Sequence, residues 1–245
     1  MKKVLLSVLA FGIVSSNAIE LNMLSGDTKL ACEAMLCLAS PVKPSECSAA
    51  LARYFSIDAK KWAQVVTKRK NFLNLCPVDA TTDPEMYKYK NDILVNLDGE
   101  CSVTSLNQRI EQTILRTEQI CENSSNCTEI KIYGYRINPK LNNSCKLLAS
   151  SKYTDYHLKY TCNNKFYEKK YWDSGYELKE ISQEIYNALP TSQKEQANKL
   201  TKITRKEFIQ LPANKRKYGI GKYYRIDVGY YQKIAIKKDC WINEK

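Results

Sequence analysis

Ten cysteines behind a secretion signal constrain this chain more than any other feature. Lys2 and Lys3 precede an apolar run from Val4 to Val14, and Ser16-Asn17-Ala18 offers small residues for cleavage after Ala18. The run falls short of the ~20 residues a spanning helix needs. Residues 1–18 therefore read as a signal peptide, and residues 19–245 as a soluble exported product. Cys32, Cys37, Cys47, Cys76, Cys101, Cys121, Cys127, Cys145, Cys162 and Cys240 all lie in that product. An even count in an oxidising compartment reads as five disulfides. Structural zinc favours closer cysteine pairs, often with histidine; the one histidine is His157, so no metal is expected. Spacing does not fix connectivity. The working pairs are Cys37–Cys47, Cys32–Cys76 and Cys145–Cys162.

Charge divides the chain. Residues 19–128 hold 12 basic and 14 acidic side chains, whereas residues 129–245 hold 24 and 12, together with 14 of the 17 tyrosines. The segment 121–128, rich in Asn and Ser, reads as the junction. Two closely joined lobes are expected, 19–122 and 129–245. The basic lobe admits two readings. It is either a surface for an acidic partner or a strand-rich lobe whose tyrosines pack and whose lysines solvate the outer face. Lysine outnumbers arginine, which disfavours specific phosphate recognition. Direct DNA binding is therefore not expected, and no nucleic-acid-contacting residue can be singled out.

The expected fold class is α+β: a disulfide-stabilised helical N-terminal lobe, then a strand-rich basic C-terminal lobe with two helices. In the first lobe, helices are read over Thr28–Ala39, from Ser45 to Phe55, and from Asp58, where Val65, Val66, Arg69, Phe72 and Leu73 recur at helical spacing. Asp83-Pro84 is a cap followed by proline at the first helical position, starting a helix towards Leu97 and Gly99. Ser105 is expected to cap a fifth helix running to Cys121. In the second lobe, Glu129–Asn138 alternates as a strand, and Asn163-Asn164 resembles a hairpin turn. A helix is read from Asp173 or Ser174 to Leu189. Ser192-x-x-Glu195 reads as the capping box of a helix ending near Leu211. Tyr218–Trp241 reads as strand. No sustained internal repeat is evident.

Catalytic candidates are few. His157 sits in a segment that reads as strand, with no nucleophile motif around it. Glu33, on a cysteine-flanked apolar helix, is the one acid whose partial burial would suit a general acid for glycan cleavage, and no second carboxylate can be chosen. Gly219-Ile-Gly221 matches no phosphate loop, and no cofactor is expected. Asn123, Asn126 and Asn142 begin N-x-[ST] sequons.

From Lys29 to Pro77 the chain resembles the TrbM/KikA/MpfK family of conjugal transfer proteins. The residues that carry this are Cys32-Glu33-Ala34, Leu36-Cys37-Leu38, Pro44, Glu46-Cys47, Leu51, Tyr54-Phe55-Ser56-Ile57, Arg69, and Asn71-Phe72-Leu73 with Leu75-Cys76-Pro77. The resemblance implies an exported, periplasmic accessory protein of a plasmid-type conjugative (type IV secretion) system, acting by protein or envelope binding and not as an enzyme. The expected partners are secretion-system or envelope proteins, with an acidic polymer or membrane surface for the basic lobe. The matched residues read as structural: cysteines for crosslinks, Tyr54, Phe55 and Phe72 for core, Glu46 for a helix start. The alternatives are a cell-wall-active enzyme with Glu33 as general acid, and a secreted toxin or effector.

Overall fold

The computed structural model describes residues 24–121, 127–219 and 221–244. The signal segment, residues 122–126 and the sequons at Asn123 and Asn126 lie outside the described residues. The fold is α+β, with helices mostly N-terminal and strands C-terminal. The described residues form two compact units, one of residues up to Gly99 with 150–155, the other of those within 100–149 and from Tyr156 on. The boundary thus falls at Gly99/Glu100 and not in the expected 122–129 interval. The composition break lies instead between two paired strands.

The first unit is built on α1 (Gly26–Ala39), α2 (Cys47–Phe55), α3 (Trp62–Leu73) and α4 (Pro84–Lys88). Cys32–Cys76 ties α1 to the end of α3, and Cys37–Cys47 ties α1 to the start of α2. Ala31, Ala34, Met35 and Leu38 form the buried stripe of α1, which packs on α2 and α3, where Ala50, Tyr54, Val65 and Leu73 are buried in turn. Asp83 caps α4 as its sequence announces, accepting from the Glu85 and Met86 amides, with Pro84 first in the helix. The chain then continues through a wide turn (Tyr89–Ile93) and a 3₁₀ turn (Leu94–Asn96). Ser45 and Asp58 cap nothing: α2 starts after Glu46 and α3 after Lys61, neither with a side-chain cap.

The second unit departs further from the expected pattern. α5 (Val103–Gln108) is closed by a reciprocal Ser102–Ser105 capping box and is followed by strand, not helix. β1 (Ile110–Cys121) pairs antiparallel with β2 (Cys127–Ile137) over its whole length. Ile110, Ile114 and Thr117 do recur at helical spacing, but they are β-branched residues that lose rotamer freedom in a helix. A strand partner decides the outcome. At a register shift between Ile114 and Arg116, the Leu115 side chain crosses Gly134, where an added Cβ would come within 2.7 Å of it.

α6 (Asn143–Ala149) carries Cys145, which bonds Cys101 and not the expected Cys162. Cys162 bonds Cys240. That bridge explains why Asn163-Asn164 does not turn a hairpin. β3 (Leu158–Tyr160) is held beside β9 (Trp241–Asn243), while β4 (Tyr167–Glu168) pairs with β2. The Asn107 side chain fixes β9 like a strand neighbour, donating to Trp241 O at 3.0 Å and accepting from Trp241 N at 2.7 Å. Cys127 is disulfide-bonded as well; the side chain of Cys121 lies outside what is described.

α7 (Lys169–Ser174) stops at Gly175, whose φ of 78° places it in the left-handed region that ends helices. The expected helix to Leu189 is therefore cut by β5 (Tyr176–Glu180). Gly175→Ala should lower stability by about 1 kcal/mol, read as a drop in Tm of the folded protein.

Beyond β5, one segment occurs twice. α8 (Gln183–Ala188), a 3₁₀ turn (Thr191–Gln193) and β6 (Lys194–Ile203) are followed by α9 (Arg205–Gln210), a 3₁₀ turn (Ala213–Lys215) and β7 (Arg216–Gly219). Each later element begins 22 positions after its counterpart, as 183 to 205, 191 to 213 and 194 to 216. Ser182 and Thr204 are the matching caps, and Leu189-Pro190 and Leu211-Pro212 the matching stops. The matched caps and Leu-Pro stops are its marks in the sequence, where no sustained repeat was read. The expected 192–211 helix is overturned by it: Glu195 lies in β6, and the true capping box is Thr204 with Glu207.

Both copies dock on β8 (Lys222–Ala235). β6 pairs with one edge; β5 and β7 share the other. All three run antiparallel to β8, so the chain crosses it once through α8 and returns through α9. Tyr186 of α8 meets Tyr230, centroids 5.0 Å apart, whereas Phe208 of α9 meets Tyr223 at 5.0 Å. Even and odd positions of a strand face opposite sides, so the helices cover opposite faces and the two crossovers have the same hand.

Candidate functional site

In the first unit, the segments that carry the sequence frame converge on one cleft. α2 delivers Arg53 and leads into Ser56, Ile57 and Asp58; α3 delivers Lys68, Asn71 and Phe72, and Leu75 follows it. With Asp27 of α1 these residues enclose about 480 Å³. Arg53 spans the rim, donating Nε to Asp27 Oδ1 at 3.1 Å and Nη2 to Oδ2 at 2.8 Å. Its guanidinium also lies 5.1 Å from the Phe72 ring centroid. The hydrogen bond from Arg53 holds the Asp27 carboxyl below the ordinary carboxylate range. Lys68 Nζ donates to Asp58 O at 3.0 Å. Ser56 and Asn71 stay exposed, and Leu75 keeps 44 % of its surface open.

Behind the cleft, Arg69 is buried, and among the described residues no carboxylate pairs with it. Its guanidinium lies 4.6 Å from the Tyr54 ring centroid, 5.4 Å from Trp62 and 5.8 Å from Phe55. Nη1 donates to Leu97 O, and Nε has no partner. Three aromatic faces supply the negative potential that an anion would otherwise give. Tyr54 in turn donates to Leu94 O. Burial pushes the Tyr54 hydroxyl up, partly offset by Arg69. The cage locks α2 to α3, so it positions both walls of the cleft. Sequence reasoning placed Arg69 in an apolar stripe without its reason; the signal was a lone arginine at helical spacing near Tyr54, Phe55 and Trp62.

Among the other expected residues, Tyr54 and Phe72 are core, while Phe55 is half-buried. Glu46 precedes α2 without a side-chain cap bond. Glu33 is half-buried on α1, 3.7 Å from Lys29. It lines neither this cleft nor the depressions around Val103 and Trp241, of about 520 Å³, and around Lys70 and Asn91, of about 260 Å³. His157 is exposed, and its backbone amide donates to Asn243 Oδ1 at 2.6 Å. Among the described residues no three metal-binding side chains cluster, and no helix is long and apolar enough to cross a membrane.

In the second unit, nine of the 17 described cations outside residues 202–222 have carboxylate partners, against none of the seven within them. Lys165 pairs with Glu177, Lys169 with Asp173, Lys199 with Glu180 and Lys233 with Glu195. Arg116 bridges Glu118 and Glu168, and Arg136 holds Glu111. Among the described residues Lys202, Arg205, Lys206, Lys217 and Lys222 form no ion pair, so uncompensated charge gathers where β6 ends and β7 turns into β8.

These features define a class: a disulfide-stapled α+β protein whose helical module presents a cleft built from a four-cysteine frame. The chain belongs to the TrbM family of conjugal transfer proteins, whose sequence model matches residues 23–186. The match runs well past residues 29–77, taking in the first unit, the β1–β2 hairpin and the segment through β5. It stops within α8, before the second copy of the repeat. No curated protein and no solved structure matches the chain.

Proposed function

We propose that this protein is an exported, periplasmic accessory component of a conjugative type IV secretion system, working by binding and not by catalysis. Membership of a conjugal transfer family supports the setting. The disulfides support an oxidising compartment, where such bonds persist. The observation that carries a binding role is the cleft. Cysteines, Tyr54 and Phe72 of the family-like frame are consumed by the core, but Ser56, Asn71 and Leu75 are not. They line an open surface together, with Arg53 and Asp27 already paired at its rim. Such a surface suits a segment of a secretion-system or envelope protein, with Leu75 as apolar contact and Asn71 and Ser56 as hydrogen-bonding groups.

The test is Asn71→Lys with Leu75→Glu in a strain carrying the transfer locus. Both side chains are exposed, so Tm should stay within about 1 °C of the parent. Transfer frequency should fall roughly tenfold or more, as for truncation of an interface centre. Unchanged transfer with normal protein levels would overturn the cleft as the working surface. Glu33→Gln, assayed beside it on purified cell wall and in mating, separates the enzymatic alternative: a binding protein retains transfer with this substitution.

A further inference from the structure

We propose that the end of the β6–β8–β7 sheet face that α8 leaves open docks on an anionic phospholipid surface. Strand register defines this face. Lys202, Tyr224 and Lys217 stand in one row across β6, β8 and β7, and Lys222 follows Tyr224 by one pleat. On the same side, Leu200 opposes Ile226 and Asn198 opposes Val228. α8 also lies on this side, further along at Tyr230.

Three observations favour a lipid surface. Leu200 and Val228 keep 43 % and 51 % of their surface exposed, beside half-buried Ile226 and Tyr224, and Ile185 of α8 keeps 52 %. Aliphatic side chains with a tyrosine and lysines around them match the layered polarity of a bilayer interface, where long cations reach the headgroups from an apolar base. The sheet bears no acid on this face from the Asn198–Val228 pair to Lys222. The sheet's acids are all engaged: on the opposite face Asp227 takes Arg225 Nε at 2.8 Å and Thr201 at 2.7 Å, Glu195 takes Lys233 at 3.5 Å and Glu180 takes Lys199, while Glu177, on this side but beyond Tyr230 opposite Ile234, takes Lys165. The arginines of this end, Arg216 and Arg225, also belong to that opposite face, where Arg216 lies 5.3 Å from the Phe208 ring centroid. The open face therefore offers ammonium groups and aliphatic surface, not the planar guanidinium donors and stacked rings that single-stranded nucleic acid uses. Charge complementarity then selects a surface of diffuse negative charge with an apolar layer beneath it.

The proposal takes its setting from the export reading, but its test does not use transfer. The mature chain with its disulfides intact is mixed with vesicles of phosphatidylcholine alone, or with ~30 % phosphatidylglycerol, and bound protein is read by flotation at low and high salt. Binding should require the anionic lipid and weaken with salt. Lys202→Gln, Lys217→Gln and Lys222→Gln should each weaken it roughly fivefold. Leu200→Ser with Val228→Ser should weaken it at high salt as well as low. Lys146→Gln on α6, away from this face, should change it less than about twofold. Equal loss from Lys146→Gln would show attraction to net charge alone and overturn the proposal. So would absence of binding by a chain with unchanged circular dichroism. Tighter binding to a single-stranded oligonucleotide or to an acidic polypeptide than to anionic vesicles would overturn it in favour of that partner. Loss of lipid binding with intact transfer would leave the accessory role standing.

Discussion

Removing the Cys32–Cys76 bridge by replacing both residues with alanine should destabilise the first unit by about 4 kcal/mol, with a large fall in Tm and rapid proteolysis between Lys60 and Lys70. The bond closes a separation of 44 residues, so the unfolded chain regains much freedom when it is cut. Both cysteines are buried, at 5 % and 2 % exposure, and each alanine leaves a small void besides. The helices it staples are short, 14, 9 and 12 residues, and short helices hold only through packing. The Cys37–Cys47 pair closes a separation of 10 and should contribute about 1 kcal/mol less on the same entropic scale. Thermal melts of the two double variants give the comparison. Equal Tm values would show that bridge length does not govern this unit.

The second large effect is expected at Arg69. Arg69→Ala should cost about 3 kcal/mol, because the ring cage of Tyr54, Phe55 and Trp62 loses its occupant and Leu97 O loses its donor. Arg69→Met should cost clearly less, about 1 kcal/mol. It fills the volume and removes a buried charge whose Nε already lacks a partner. The ordering, alanine worse than methionine, separates a packing role from an electrostatic one. If methionine proves as damaging as alanine, the cation–ring contacts carry more than the volume. Denaturant unfolding at constant m reads both.

The first unit was largely legible in the residues, because its structure is decided locally and by cysteine. Proline and aspartate at 83–84 start α4 without help from any distant residue, and the periodic stripe of α3 has one face to bury. The pairs Cys32–Cys76 and Cys37–Cys47 follow the expected frame. The second unit was legible mainly in class. β1 carries a helical spacing by coincidence and is a strand because β2 is its partner. Ser192-x-x-Glu195 satisfies the pattern of a capping box, yet Glu195 is needed in β6, where it accepts from Tyr176 at 3.0 Å. Thr204-x-x-Glu207 satisfies the same pattern and was passed over. Six-residue helices give periodicity too little length to register, so the duplicated segment shows itself through matched Leu-Pro stops and caps more than through its apolar pattern. The cleft was half visible: Ser56, Ile57, Asn71, Phe72 and Leu75 belong to the residues of the resemblance, but only Phe72 was given a place there, as core, and Ser56, Asn71 and Leu75 face outward.

One consequence follows from the way β8 and β9 are used. β5, β6 and β7 all take β8 as partner, β3 takes β9, and Cys162 waits for Cys240. Every one of these partners lies later in the chain than the strand that needs it. The β1–β2–β4 sheet and the Cys101–Cys145 bridge can form as the chain emerges, but the sheets built on β8 and β9 cannot. Their strands stay unpaired edges until the final stretch arrives, and these two sheets then close together, like a clasp whose tongue is threaded last.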